Sequence, residues 1–173
     1  MSKIKLDLNS EQNILNMLME SSSLSEDQMS KINANSKEIG KTKLETAIEL
    51  NFTDETKIQK TLSTNYSLEL ISLEKKVIDP KIKKIIDLRY IQDNLLVPFE
   101  MGEGILKIAI ADASKLGLMK NLKTMTKMEP ELYAATISDI NEFIDRMSRL
   151  DTKKISSANV KVEKVEKNKD ELI

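Results

Sequence analysis

An α+β fold follows from three features of the sequence: a first half punctuated by helix caps, a second half whose apolar period shifts toward strands, and a composition poor in aromatics. Hydrophobic residues make up 40% of the 173 residues but aromatics only 3%, with 4 Gly and 3 Pro. That balance favours a helix-rich chain over a sandwich or barrel. The expected organisation is a helical subdomain of short helices over 1–65, a small mixed sheet covered by helices over 66–148, and a flexible charged linker or tail over 149–173.

The first helix is expected over about Ser10–Glu20, where Ile14, Leu15 and Leu18 form one apolar face before Ser21-Ser22-Ser23 breaks it. Ser25 with Gln28 has the form of a capping box, opening a second helix that buries Met29 and Ile32. Thr42 and Glu45 repeat the pattern ahead of Leu44, Ala47 and Ile48, and Thr53 or Asp54 caps a fourth helix carrying Ile58, Thr61 and Leu62. Met19-Glu20 … Leu24–Met29 echoes Ile48-Glu49 … Thr53–Ile58 at an offset of 29 residues. The echo fits either an internal repeat or chance similarity between two amphipathic hairpins.

In the second half, Ser67–Leu73 reads as a short strand. Asp79-Pro80 reads as a cap and first helical proline, opening a helix with Ile82, Ile85 and Ile86 inward and Lys81, Lys83, Lys84 and Arg89 opposite. Leu95–Phe99 and Ile105–Ala111 form a hairpin around Glu100–Gly104. Asp112 or Ser114 caps a helix with Leu116, Met119 and Leu122 on one side. Glu131–Thr136 is the last strand, and Ser138 caps a final helix with Ile140, Phe143, Ile144 and Met147 at helical spacing.

Several chemistries are excluded outright. The chain has no Cys, His or Trp, so thiolate nucleophiles, histidine bases, His/Cys zinc sites and Ser-His-Asp triads are absent. No G-x-x-x-x-G-K-[ST] string exists to cradle a phosphate, and Gly102-Glu103-Gly104 reads as a turn. The carboxylate pairs Glu26-Asp27 and Asp54-Glu55 fall in helix first turns, where they suit the dipole. The Lys81–Arg89 cluster reads as a solvated face, and Met17, Met19, Met119 and Met147 as core filling. No catalytic, cofactor or metal residue is expected. With 27 basic and 28 acidic residues the formal charge is −1, which removes the cationic field that nucleic-acid binding draws on.

Neither the charged start nor any later stretch has the apolar length of a signal peptide or membrane span. Lys169-Asp170-Glu171-Leu172 has the letters of a retrieval signal, but Ile173 follows it and such a signal must close the chain. Ordered structure is expected to end near Arg146–Leu150.

The order of elements, together with several strings, resembles the amino-terminal domain of the type II secretion and type IV pilus assembly ATPases. The strings are MESSSLSEDQM at Met19–Met29, TLSTNYSLELISL at Thr61–Leu73, Val77-Ile78-Asp79-Pro80 through Leu96-Val97-Pro98-Phe99, and ILKIAIADAS at Ile105–Ser114. Ala113 stands where the family usually has proline. The likeness covers about residues 10–148, and VEKVEKNKDELI at the end is similar to the linker that leads into the motor.

The resemblance implies a docking and regulatory domain without the motor, either free-standing or cut from a longer protein. It implies a cytoplasmic location, peripheral to the inner membrane through a platform or actin-like component of the same machine. Contacts with itself or with the motor core are the other implied partners. A subset of the family binds cyclic di-GMP through two motifs that begin Arg-Leu-Gly, carry a middle glycine and end in Gln. Here the match is Glu38-Ile39-Gly40; the middle glycines become Ser22 and Asn51, and the terminal Gln becomes Ser36 and Asn65. An acid at the phosphate-contacting position opposes a dianion, so cyclic di-GMP is not expected to bind. The competing reading, a second-messenger sensor, places the ligand at Ile39, Gly40, Leu62 and Asn65.

Overall fold

The computed structural model describes residues 6–164. The chain opens with four helices: α1 (Leu8–Glu20), α2 (Glu26–Ile39), α3 (Lys43–Glu49) and α4 (Glu55–Tyr66). Each starts where the sequence supplies an oxygen for an orphan N–H. Asp7 accepts from Ser10 and Asp54 from Lys57, while Ser25/Gln28 and Thr42/Glu45 form complete capping boxes. α1 begins before Ser10 because Asp7 is its cap.

The 29-residue echo is a structural repeat. In the α1–α2 turn, Ser21, Ser22 and Ser23 donate backbone N–H groups to Met17, Met19 and Leu18. In the α3–α4 turn, Leu50, Asn51 and Phe52 donate to Thr46, Ile48 and Ala47, the same bonds moved by 29. Ser22 (φ 63°) and Asn51 (φ 62°) both take the left-handed conformation that the turn requires. Leu15 and Leu18 in the first hairpin, and Leu44 and Ala47 in the second, are buried at equivalent positions.

The second half contains β1 (Glu69–Leu70), α5 (Pro80–Ile85), α6 (Leu88–Asn94), β2 (Val97–Gly102) and β3 (Ile105–Ile110). A 3₁₀ segment (Ala113–Leu118), α7 (Met119–Thr126), β4 (Glu129–Ala134) and α8 (Ile137–Lys164) follow. The sheet order is β1-β4-β3-β2, with β2–β3 antiparallel and both other pairings parallel. The α+β class and the mixed sheet covered by helices agree with the sequence reading.

Several boundaries differ from expectation for identifiable reasons. The expected hairpin loop shrinks to Glu103 (φ 53°) and Gly104 (φ 79°), a two-residue turn whose twist matches the flanking strands. Glu100 and Met101 join β2 because they pair with Lys107 and Leu106. β1 is two residues long instead of seven, because α4 continues to Tyr66 before it and β4 ends at Ala134, the partner of Leu70. β4 starts at Glu129, ahead of the expected Glu131. Its Pro130 is tolerated because the Glu129 N–H faces β3, so the proline nitrogen points to the side β1 does not reach. Asp112, not Ser114, caps the 3₁₀ segment, accepting the Ser114 N–H at 2.8 Å.

The single helix expected after Pro80 is two. Ile86 leaves the helix with extended backbone and Asp87 caps α6, so Arg89 lies on a different helix from Lys81, Lys83 and Lys84. The cap of α8 is Thr136, which accepts the Asp139 N–H at 3.1 Å, not Ser138. α8 also runs to Lys164, past the expected end of order, because no Gly or Pro follows Pro130 to stop it. Residues 165–173 of the expected tail lie outside the described residues.

One continuous apolar cluster joins the two halves, from Ile14, Leu18 and Leu62 to Leu106, Ile108 and Phe143. Met17 and Met147 are buried in it, and Met19 and Met119 pack on its margin, so these methionines fill the core. Polar ties reinforce the junction. Gln59 Nε2 donates to the carbonyls of Ala134 (2.9 Å) and Ile71 (3.2 Å), joining α4 to the parallel edge of the sheet. Lys115, only 5% exposed, pairs with Asp7 at 3.6 Å and fixes the start of α1 to the 3₁₀ segment.

Candidate functional site

The repeat builds a cleft of about 600 Å³ between the α1–α2 turn, α3 and the exposed face of α4. Ser21 and Ile48 form one wall; Lys57, Lys60, Thr64 and Asn65 form the other. Its two carboxylates are already engaged. Asp54 accepts the Lys57 N–H at 2.8 Å, and Glu55 holds the start of α8 through Ser138. Thr61 Oγ1 donates to the Lys57 carbonyl at 2.8 Å. The cleft therefore offers two ammonium groups, an amide and hydroxyls to a bound molecule, but no activated nucleophile or base.

The four residues of the sensor reading do not share this cleft. Asn65 lines it, whereas Leu62 is buried in the core beneath α4. Ile39 ends α2, and Gly40 (φ 68°) is the left-handed residue that stops it, with its N–H on the Ser36 carbonyl. Glu38 is exposed in the last turn of α2. The pair Glu26-Asp27 occupies the first turn of α2, and Asp27 pairs with Lys31 at 3.3 Å. Among the described residues no group of three acidic side chains is placed to hold a metal ion.

Two groups with perturbed titration lie elsewhere, on the neighbouring strands β3 and β4. Lys107 is raised by its hydrogen bond to Glu100 (3.2 Å apart), and Tyr133 is raised by its hydrogen bond to Glu131. Phe99 of β2 meets the ring of Tyr133 of β4 edge-on, with centroids 5.3 Å apart, so the two aromatics pack across the intervening β3.

A second concavity, of about 620 Å³, was not evident from sequence. It lies between the Glu74–Ile78 segment and the α8 residues Arg146, Arg149 and Leu150. Its signal was present as the aliphatic pair Val77-Ile78, set between Glu74-Lys75-Lys76 and Asp79. Nothing local in the sequence tied that segment to α8, 70 residues away.

The sequence model of a family described as the MshEN domain matches residues 66–153, which spans the sheet, α5–α7 and the start of α8. Among solved structures, one described as MshE with cdg is 22% identical. It aligns with 77% of this chain and 96% of its own, at a TM-score of 0.57. The N-terminal domain of XpsE is 20% identical over 82% of this chain and 98% of its own, at a TM-score of 0.56. No curated protein matches. No described helix is long and apolar enough to cross a membrane.

Proposed function

Since the chain belongs to the MshEN domain family, and so to the amino-terminal domains of type II secretion and type IV pilus assembly ATPases, we propose that it is a non-catalytic docking and regulatory unit. Its partner in this reading is a platform component of the same machine, which would hold it in the cytoplasm against the inner membrane. The observation that carries the reading is that 98% of a solved N-terminal domain of XpsE aligns with this chain. A unit built like that domain, with no phosphate-binding string and, among the described residues, no activated side chain, has binding as its available chemistry. The test is titration of the 173-residue chain with the purified cytoplasmic part of the platform protein. Saturable one-to-one binding supports docking, and absence of binding at high micromolar concentration sinks it.

A second reading is favoured by one observation, the MshE structure with cdg. In that reading the chain senses cyclic di-GMP at Ile39, Gly40, Leu62 and Asn65. Against it stand the Glu38 carboxylate at the phosphate-contacting position and the burial of Leu62. Calorimetric titration with cyclic di-GMP separates the two readings, with a flat trace expected.

A further inference from the structure

The groove beside α8 sets exposed aliphatic side chains among several cations. Arg146 anchors it: its two terminal nitrogens donate to the carbonyls of Lys76 (3.1 Å) and Leu73 (2.8 Å), and its guanidinium lies 4.9 Å from the Phe143 ring centroid. This staples the 73–76 turn onto the helix and fixes both walls. The remaining Nε of Arg146 is buried and has no partner. Lys75, Lys76 and Arg149 add three more cations. Among the described residues Lys75 pairs with no carboxylate, Lys76 rests over the Phe99 ring, and only Arg149 is paired, with Asp145. A chain of net charge −1 thus gathers four cations around one lining acid, Glu74.

Between these cations stand aliphatic side chains in water. Val77 is 83% exposed and Leu150 46%. A rigid apolar strip flanked by cations is complementary to a segment that carries aliphatic side chains between carboxylates. The surface is concave, and Glu74 and Asp145 interrupt its charge, which suits a peptide better than the broad face of an anionic bilayer.

We propose that this groove docks an acidic, aliphatic-bearing segment of a partner protein. The proposal rests on the docking reading above and locates its contact surface.

The probe is a fluorescein-labelled peptide of alternating glutamate and leucine, ELEELE, titrated into the 173-residue chain at physiological ionic strength, with KLKKLK as control. Saturable binding of the acidic peptide alone is expected. The double variant Lys75→Glu/Arg149→Glu should weaken it by at least about tenfold, and Val77→Ser by about threefold. Both variants alter exposed side chains, and unchanged melting curves will show that they fold. Absence of peptide binding, or equal binding by the charge-reversed variant, overturns the groove. Tighter binding to phosphatidylglycerol vesicles than to peptide, lost in the same variants, also overturns it by making the surface a membrane contact. The purified platform component distinguishes this failure from failure of docking itself. Equal capture by wild type and variants removes the groove but keeps docking. Peptide binding without platform capture keeps the groove and removes the platform as its partner.

Discussion

Glu55, in the first turn of α4, accepts both the backbone N–H and the hydroxyl of Ser138, in the first turn of α8, at 2.6 Å each. One carboxylate thus satisfies an orphan donor, 83 residues away, of another helix and sits near the positive end of two helix dipoles. Glu55→Ala should destabilise the fold by about 1–2 kcal/mol. Ser138→Ala, which keeps the N–H bond, should cost about half as much. Urea denaturation of both single variants and the double variant checks this; additive losses would mean that the two residues are not coupled.

Thr53 occupies the repeat position held by Leu24 in the first hairpin. Both are buried, but the Thr53 hydroxyl, on a residue 4% exposed, has no hydrogen-bond partner. A desolvated hydroxyl without a partner is a net cost, and valine has the same shape without it. Thr53→Val should raise stability by about 1 kcal/mol and the melting temperature by about 2–4 °C. A lower melting temperature would show that the oxygen is satisfied in solution.

The contrast between Ser25 and Arg146 explains what the sequence made legible. Ser25 and Gln28 act three residues apart, so the capping box can be read from the string alone, as can those of Thr42/Glu45 and the Asp79-Pro80 start. The groove around Arg146 depends on carbonyls of Leu73 and Lys76, 73 and 70 residues away, and no local periodicity encodes that pairing. The same limit explains β1, whose two residues are strand only because β4 lies beside them. It also explains Ser138, which has the chemistry of a cap but is held by Glu55, while Thr136 takes the cap position.

Ser22 and Asn51 stand at equivalent positions of the repeat with nearly equal φ, 63° and 62°. Serine pays a steric cost in the left-handed region that asparagine largely escapes by local hydrogen bonding. Ser22→Gly should therefore stabilise by about 0.5 kcal/mol, whereas Asn51→Gly should change stability by less than about 0.5 kcal/mol, because glycine's greater unfolded-state freedom offsets most of the relief. Thermal melts of the two variants side by side test the ranking, and a larger gain at Asn51 would refute the assignment of strain to Ser22.

Asp7 gives the fold a pH dependence of predictable sign. The backbone N–H of Ser10, donated to its carboxylate at 2.7 Å, is the main cause that holds the group below its ordinary value of 3.8, with the Lys115 ammonium adding to it. A carboxyl lowered in the folded state contributes stability that is complete above pH 3.8 and is lost as pH falls through the lowered folded value. Asp7→Ala removes cap and charge together, and should cost about 1 kcal/mol at neutral pH, since the side chain is half exposed and screened by solvent. The gap between wild type and variant should narrow as the buffer is taken well below 3.8, because protonated Asp7 keeps neither the charge-assisted cap nor the pair with Lys115. Denaturation midpoints at neutral and strongly acidic pH measure that gap directly. A gap that stays constant would mean that Asp7 stabilises α1 by shape alone.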